Sequence, residues 1–323
     1  MAMINISERS VLAFFSLQYK SAVKDQTWMR FTRRVDTNQP DGEKFAGSEP
    51  GTGMKEKGTE QPYRTRTHVG FTLPNRSFEN ARTLSEDEVN GNKVSKAEEL
   101  VGELATYAAE HPGDMVEDLI LSATAVDPIE PTLTFFNDGH TRQGTLAVQS
   151  NLYTGAAQAN HTAYAAFDPV APAAPTDDEW LTILFAGARI LREMTNSAGQ
   201  RINRNKKRFT VATNGVLWES LMRTLSKRTI GGGDTNPILS NRMGWGWTPM
   251  HLPSQTSDDY LYFFVEGGSP MILQYYKVPE KPVILGPGTE HWKKHEEMLM
   301  KVSGTYNCGF EHYIHALKVL LKT

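Results

Sequence analysis

The sequence predicts a mixed α+β chain, because segments with helical periodicity and segments with strand periodicity both occur in it. Two capping boxes, Ser95–Glu98 and Thr176–Glu179, each open a stretch with apolar residues at helical spacing. The last third carries short apolar runs instead, such as residues 260–265 and 271–276, which are typical of buried strands. At 323 residues, the chain is long enough to bury a sizeable core in one or two domains.

Four helices are predicted from apolar residues three or four positions apart. The longest contains Pro112, which removes a helix amide, so we expect one kinked helix or two in series there. The predicted helices cover residues 8–24, 95–121, 216–229 and a segment from Thr176 to a glycine-containing stop at 196–199.

Strands are predicted where β-branched and aromatic residues cluster between turn signals. The two apolar runs on either side of Gly267 and Gly268 predict a hairpin. The other predicted strands cover residues 28–35, 63–73, 133–136, 209–213 and 301–306.

Residues 36–62 form a long polar segment between two predicted strands. It has few apolar residues, among them Phe45 and Met54, so it has no core of its own. Such a segment is uncommon inside a compact domain. It is either an extended excursion that leaves the body and returns, which we favour, or a disordered surface loop.

Composition narrows the function classes. The net charge of −3 argues against a dedicated nucleic-acid binder but not against a container for nucleic acid. The single cysteine, Cys308, allows no disulfide within the chain, and we expect it to be a small buried residue. No signal peptide is recognisable at the start, and no apolar run reaches the roughly 20 residues of a membrane span.

Few residue patterns point to catalysis or to metal binding. His291 and His295 lie four apart on a plausible helix but lack the glutamate of a His-Glu-x-x-His site. Asp138 and His140 lie close together without a nucleophile elbow, and His312 with His315 suits a core or an interface. The basic run Arg201–Arg208 could contact nucleic acid. We favour instead a solvated turn or a surface that pairs with acidic residues of a neighbour. We therefore predict no catalytic residues, no cofactor and no metal.

Seven stretches of the sequence, taken in order, carry a resemblance to a known family: residues 75–89, 108–121, 135–140, 208–213, 260–266, 269–274 and 306–310. They resemble the major capsid proteins of tailed bacteriophages with the Hong Kong 97-type fold, and most closely the major head subunits of Mu-like phages. A proline pair that family members often carry is replaced here by Asn214–Gly215.

The resemblance implies an α+β subunit with an N-terminal arm, an extended β-hairpin loop, a peripheral lobe with a long spine helix, and an axial lobe. The implied boundaries are 1–27 for the arm, 28–75 for the loop, 76–207 for the peripheral domain with its spine helix at about 95–121, 208–275 for the axial domain, and 276–323 for a return to the core.

The resemblance also implies a structural protein that is not an enzyme. Its subunits would form pentamers and hexamers, assemble in the host cytoplasm, and close an icosahedral virion shell around double-stranded DNA. A separate scaffolding protein, a portal and decoration proteins would be partners, the DNA would be contacted non-specifically, and no membrane would be involved. The arm and the loop would contact neighbouring subunits through Phe14, Phe15, Lys44, Phe45, Lys55, Lys57, Arg64 and Arg66.

Three alternatives remain at the level of sequence. An encapsulin-like nanocompartment shares the fold but encloses proteins. A phage tail or baseplate protein would form tubes or stacked rings. A metal-dependent or hydrolytic enzyme would use His291, His295 or Asp138.

Overall fold

A computed structural model describes residues 6–24, 26–48, 68–141, 148–153, 164–172, 174–196, 199–230, 234–238, 244–256 and 259–321. Within those residues the chain forms six α-helices and fourteen β-strands. The helices are α1 (Glu8–Val23), α2 (Glu86–Asn90), α3 (Val94–Leu121), α4 (Asp177–Glu193), α5 (Gly215–Ser226) and α6 (Glu290–His295). The strands are β1 (Thr32–Asp36), β2 (Glu43–Ser48), β3 (His68–Leu73), β4 (Arg76–Ser85), β5 (Leu152–Tyr153), β6 (Arg208–Thr213), β7 (Thr229–Ile230), β8 (Asp234–Thr235), β9 (Gly246–His251), β10 (Tyr260–Val265), β11 (Met271–Lys277), β12 (Val283–Leu285), β13 (Glu297–Phe310) and β14 (Ala316–Leu320).

The first sheet is organised around β13, which has fourteen residues. Strand β4 pairs with residues 297–306 along one side of it. Strands β12 and β11 follow each other along the opposite side, at residues 299–301 and 305–310. Strand β1 then adds to β11 in parallel, so one long strand joins all the other pieces of this sheet.

The second sheet has the strand order β5-β14-β10-β6-β9. Helix α4 packs on it and buries Trp180, which is fully shielded and donates a hydrogen bond to Ser220 Oγ at 2.9 Å. The helix approaches the sheet so closely at Gly187 that a Cβ there would lie 2.7 Å from the ring of Phe263. Any side chain at Gly187 would push the helix off the sheet.

Helix α3 is continuous through Pro112, so the predicted pair of shorter helices does not form. Its apolar face packs against α1 and the first sheet. Val11 and Phe15 of α1 are fully buried in that contact. The N-terminal helix is thus the first element of the subunit's own core.

The predicted hairpin across Gly267 and Gly268 is wrong. Strand β10 lies inside the second sheet between β14 and β6, whereas β11 lies in the first sheet between β1 and β13. The connection between the two strands therefore crosses from one sheet to the other. Within it, the backbone N–H of Gly267 donates to the carbonyl of Arg30 at 2.9 Å. Both strands are buried, and each pairs on both sides with strands that lie farther away in the sequence.

The predicted strand at residues 133–136 is also wrong, since only a single bridge between Val126 and Thr134 forms there. Phe135 stacks on Phe310 instead, with the ring centroids 3.6 Å apart, so side-chain packing fixes this segment. The predicted domain boundaries stay a prediction. No helix in the described part of the chain is both long enough and apolar enough to cross a membrane.

Candidate intersubunit surfaces

The predicted extended loop contains a β-hairpin. Strands β2 and β3 pair in antiparallel register from Glu43 opposite Leu73 to Ser48 opposite His68. Together they make a separate two-stranded sheet, and within the described residues neither strand pairs with a strand of the two large sheets. A two-stranded sheet is marginally stable alone, so its attachment to the body determines how well it is held.

Gln274 of β11 attaches both hairpin strands to the body. Its side chain is fully buried, and its Oε1 accepts a hydrogen bond from the Glu43 backbone N–H at 3.2 Å. Its Nε2 donates to the Leu73 carbonyl at 3.1 Å and to Asn75 Oδ1 at 2.6 Å. One amide side chain therefore bonds to the base of each strand and to the residue that follows the hairpin.

The backbone at the hairpin base leaves no room for a side chain. Gly42 has φ +111°, and a Cβ there would lie 2.2 Å from the Leu73 carbonyl oxygen. Asn75 Nδ2 closes the same turn by donating to the carbonyls of Gln39 and Pro40 at 2.8 and 3.0 Å.

A charged contact supports the hairpin from the side. Arg33 of β1 lies with its guanidinium 5.8 Å from the centroid of the Phe45 ring. The same guanidinium pairs with the Glu311 carboxylate. Burial raises the pKa of Glu311, and the Arg33 charge and hydrogen bond oppose that rise. Arg33 thus links the hairpin to the end of β13.

The structure describes four of the eight predicted contact residues. Lys44 is exposed, and Phe14 is half-buried. Phe45 is buried against Leu73 and Ile272. Phe15 lies in α1 and is fully buried in the cluster that α1 shares with α3. The structure therefore places these two residues inside the subunit and not on a free surface. The other four lie outside the described residues, and their role stays a prediction: Lys55, Lys57, Arg64 and Arg66.

The basic run predicted at residues 201–208 borders a cleft of about 410 Å³. Arg192 lies over the ring of Trp245, 5.3 Å from its centroid, and donates two hydrogen bonds to the carbonyl of Arg204. The lining carries four arginines against one glutamate, so the cleft is positively charged. It is lined by Phe185, Arg189, Arg192, Glu193, Arg201, Arg204 and Trp245.

Cys308 is partly buried, and its thiol donates to the Met115 carbonyl at 3.2 Å. Burial raises its pKa to about 12, so almost no nucleophilic thiolate exists at neutral pH. This agrees with the interpretation of Cys308 as a small packed residue.

The five histidines considered in the sequence analysis lie in three places. The rings of His291 and His295 lie 4.7 Å apart, as their spacing predicts. His312 and His315 are buried, which fits a core position. Asp138 is exposed, whereas His140 is buried beside Asp127 and Glu130, two carboxylates that sequence reasoning missed. They precede His140 by 13 and 10 residues, so no short sequence spacing marks the three residues as a group.

No protein-family model and no curated protein matches this chain. Its fold, in contrast, matches solved structures over nearly its whole length. A subunit of the mature capsid of bacteriophage PhiM1 aligns with a TM-score of 0.56 at 9% identity, covering 93% of this chain and 88% of that one. The capsid of cyanophage P-SCSP1u gives a TM-score of 0.55 at 12% identity, with 92% and 88% covered. The chain has the Hong Kong 97-type capsid fold.

A third solved structure with this fold is not named as a phage capsid. A virus-like particle from Pyrococcus furiosus aligns with a TM-score of 0.52 at 9% identity, covering 96% of this chain and 98% of that one. The predicted α+β capsid fold is therefore confirmed, and the narrower resemblance to Mu-like head subunits stays a prediction.

Proposed function

We propose that this chain is the major capsid protein of a tailed bacteriophage, a structural subunit and not an enzyme. Pentamers and hexamers of it would close an icosahedral shell around double-stranded DNA, assembled in the host cytoplasm and ending in the virion. The observation that carries the proposal is the fold match to phage capsid subunits along about nine-tenths of both chains.

The hairpin supports this role physically. Among the described residues, β2 and β3 pair only with each other, so each strand has one edge whose backbone groups are open to a further partner. A neighbouring copy that covers such an edge stabilises both subunits. Because the contact joins two different surfaces, repetition of it closes into a ring when the rotation fits.

The cationic cleft around Arg192 and Trp245 is a candidate for contact with packaged DNA. Arginines bind phosphate without reading sequence, and each phosphate contact adds salt-sensitive affinity. With a net charge of −3, we expect the subunit as a whole to hold nucleic acid loosely. We further propose a separate scaffolding protein, a portal and decoration proteins as partners.

A nanocompartment shell is the second candidate. The match to the Pyrococcus furiosus particle, which extends over 98% of that chain, favours it. In this case the shell would enclose protein cargo and no DNA.

Negative-stain microscopy with sedimentation velocity tests the proposal, on the purified chain and on the chain coexpressed with a candidate scaffolding protein. We expect closed shells, or rings of five and six subunits. Shells that contain a defined protein and no DNA would favour the nanocompartment. Tubes or stacked rings would indicate a tail protein, and a small oligomer under every condition would refute the shell proposal.

A further inference from the structure

A buried cluster of one imidazole and two carboxylates lies just after the spine helix α3. Asp127 and His140 are fully buried, and the Glu130 side chain is 15% exposed. Among the described residues, these three form the one group whose potential ligand atoms lie close enough to share a metal ion, all within 4.8 Å of one another. The His140 ring is clamped by Tyr313, which stacks on it at 3.7 Å between centroids.

Backbone groups hold one oxygen of each carboxylate and aim the other at His140. Asp127 Oδ1 accepts from the N–H groups of Ile129 and Glu130 at 2.7 and 3.1 Å. Glu130 Oε1 accepts from the Thr141 N–H at 3.2 Å. The second oxygens, Asp127 Oδ2 and Glu130 Oε2, then lie 3.6 and 3.0 Å from His140 Nδ1.

The other face of the imidazole fixes its tautomer. Nε2 lies 3.1 Å from the Phe135 carbonyl and 3.2 Å from Asn151 Oδ1. The orientation of that amide is set, because Asn151 Oδ1 accepts from the Asn137 N–H and Asn151 Nδ2 donates to the Phe135 carbonyl. Both neighbours of Nε2 are therefore acceptors, so Nε2 carries the hydrogen.

With Nε2 protonated, a neutral His140 directs the lone pair of Nδ1 at two carboxylate oxygens. That arrangement is repulsive unless a proton or a metal ion lies between the three atoms. A divalent cation there would be bound by the Nδ1 lone pair and by one oxygen of each carboxylate.

We propose that Asp127, Glu130 and His140 form a binding site for a divalent cation of the zinc class. Imidazole nitrogen with carboxylate oxygen suits such borderline cations. Ligands at tetrahedral angles around zinc are separated by about 3.4 Å. The two separations from Nδ1, 3.0 and 3.6 Å, lie on either side of that value. A hydrogen bond from the second imidazole nitrogen to a carbonyl is the usual support of a metal-binding histidine.

The ion would have a structural role. Residues 122–141 contain no helix and no extended strand, and two hydrogen-bonded bridges are the regular pairing that the structure shows there. A metal would tie the two ends of the 127–140 segment together and lock His140 against Tyr313. The inference rests on the cluster alone and is independent of the shell proposal.

The test is zinc binding by the full chain after chelation and dialysis, measured by calorimetry and by metal analysis. We expect one equivalent of Zn²⁺ and a higher melting temperature with it. Glu130→Gln, which keeps size and shape, is expected to weaken binding by at least about 100-fold. His291→Ala is the matched control, because it removes a histidine of the His291–His295 pair in α6 and is expected to leave binding unchanged.

X-ray absorption of the zinc-loaded wild-type chain gives an answer that needs no variant. One imidazole nitrogen together with carboxylate oxygens supports the site. Two imidazoles, or binding lost in His291→Ala and kept in Glu130→Gln, would assign zinc to the His291–His295 pair and overturn the proposal. Absence of zinc binding, with ¹⁵N shifts that show His140 protonated on both nitrogens, would overturn it as well.

Discussion

Replacement of Gln274 by methionine is expected to loosen the β2–β3 hairpin while the sheets stay folded. Methionine has nearly the volume of glutamine, so the buried position stays filled. It cannot accept from the Glu43 N–H or donate to the Leu73 carbonyl and Asn75, which are the contacts that hold the hairpin base.

The magnitude follows from those three hydrogen bonds. Each is worth roughly 0.5–1.5 kcal/mol net, so their loss costs about 3 kcal/mol. If all of it falls on local opening of the hairpin, the opening equilibrium rises about 100-fold. The global free energy of unfolding falls by no more than the same amount.

Hydrogen exchange followed by mass spectrometry measures this directly. Peptides that cover residues 43–48 and 68–73 should exchange about 100-fold faster in Gln274→Met, whereas peptides from β13 should change far less. Gln39→Met is the control, since it makes the same substitution at an exposed position near the same turn. Equal protection of the hairpin in both variants would refute the account of Gln274 as its main attachment.

Three further outcomes are expected. Gly42→Ala should lower the urea midpoint and speed exchange in the hairpin, because its Cβ would collide with the Leu73 carbonyl at a positive φ; an unchanged midpoint would contradict this. Hydrogen bonds lower the pKa of Asp177 and Glu179 in the folded chain, so the unfolded chain binds more protons. Stability should therefore fall as the pH drops through their ordinary values of 3.8 and 4.5, and urea titrations should show a shallower fall in the Asp177→Asn/Glu179→Gln double variant. Cys308 should resist thiol reagents at pH 7.5 until urea unfolds the chain, and rapid labelling of the native chain would contradict its burial.

Local signals predict most of the helices. They miss the start of α3, which begins at Val94 and not at the capping box predicted from Ser95 to Glu98. The capping box at Thr176 starts α4 as expected. Thr176 Oγ1 accepts from the Glu179 N–H, and Glu179 Oε2 accepts from the Thr176 N–H. The strand pairing is harder, because partners in these sheets lie far apart in sequence. Arg33 of β1, for example, pairs in register with Ile272. The glycine pair at 267–268 signals a turn correctly but carries no information on which sheet each flanking strand joins.

The candidate sites, too, could be predicted only in part from local sequence signals. A basic run at residues 201–208 is visible in sequence, yet the cleft beside it also needs Arg189 and Arg192 from α4. Phe15 looks like an exposed arm residue when read alone, and only the packing of α1 on α3 shows that it is core. Charge patterns can be seen in a short stretch of sequence, whereas the burial of a residue depends on which helices and strands pack together.

Both sheets depend on strands that are encoded late. Strand β13 joins every part of the first sheet, and β14 lies inside the second between β5 and β10. A nascent chain therefore lacks an interior strand of each sheet until β13 and β14 have left the ribosome after the other strands. Strands made earlier, such as β4 and β10, stay without these neighbours until residues 297–320 have emerged.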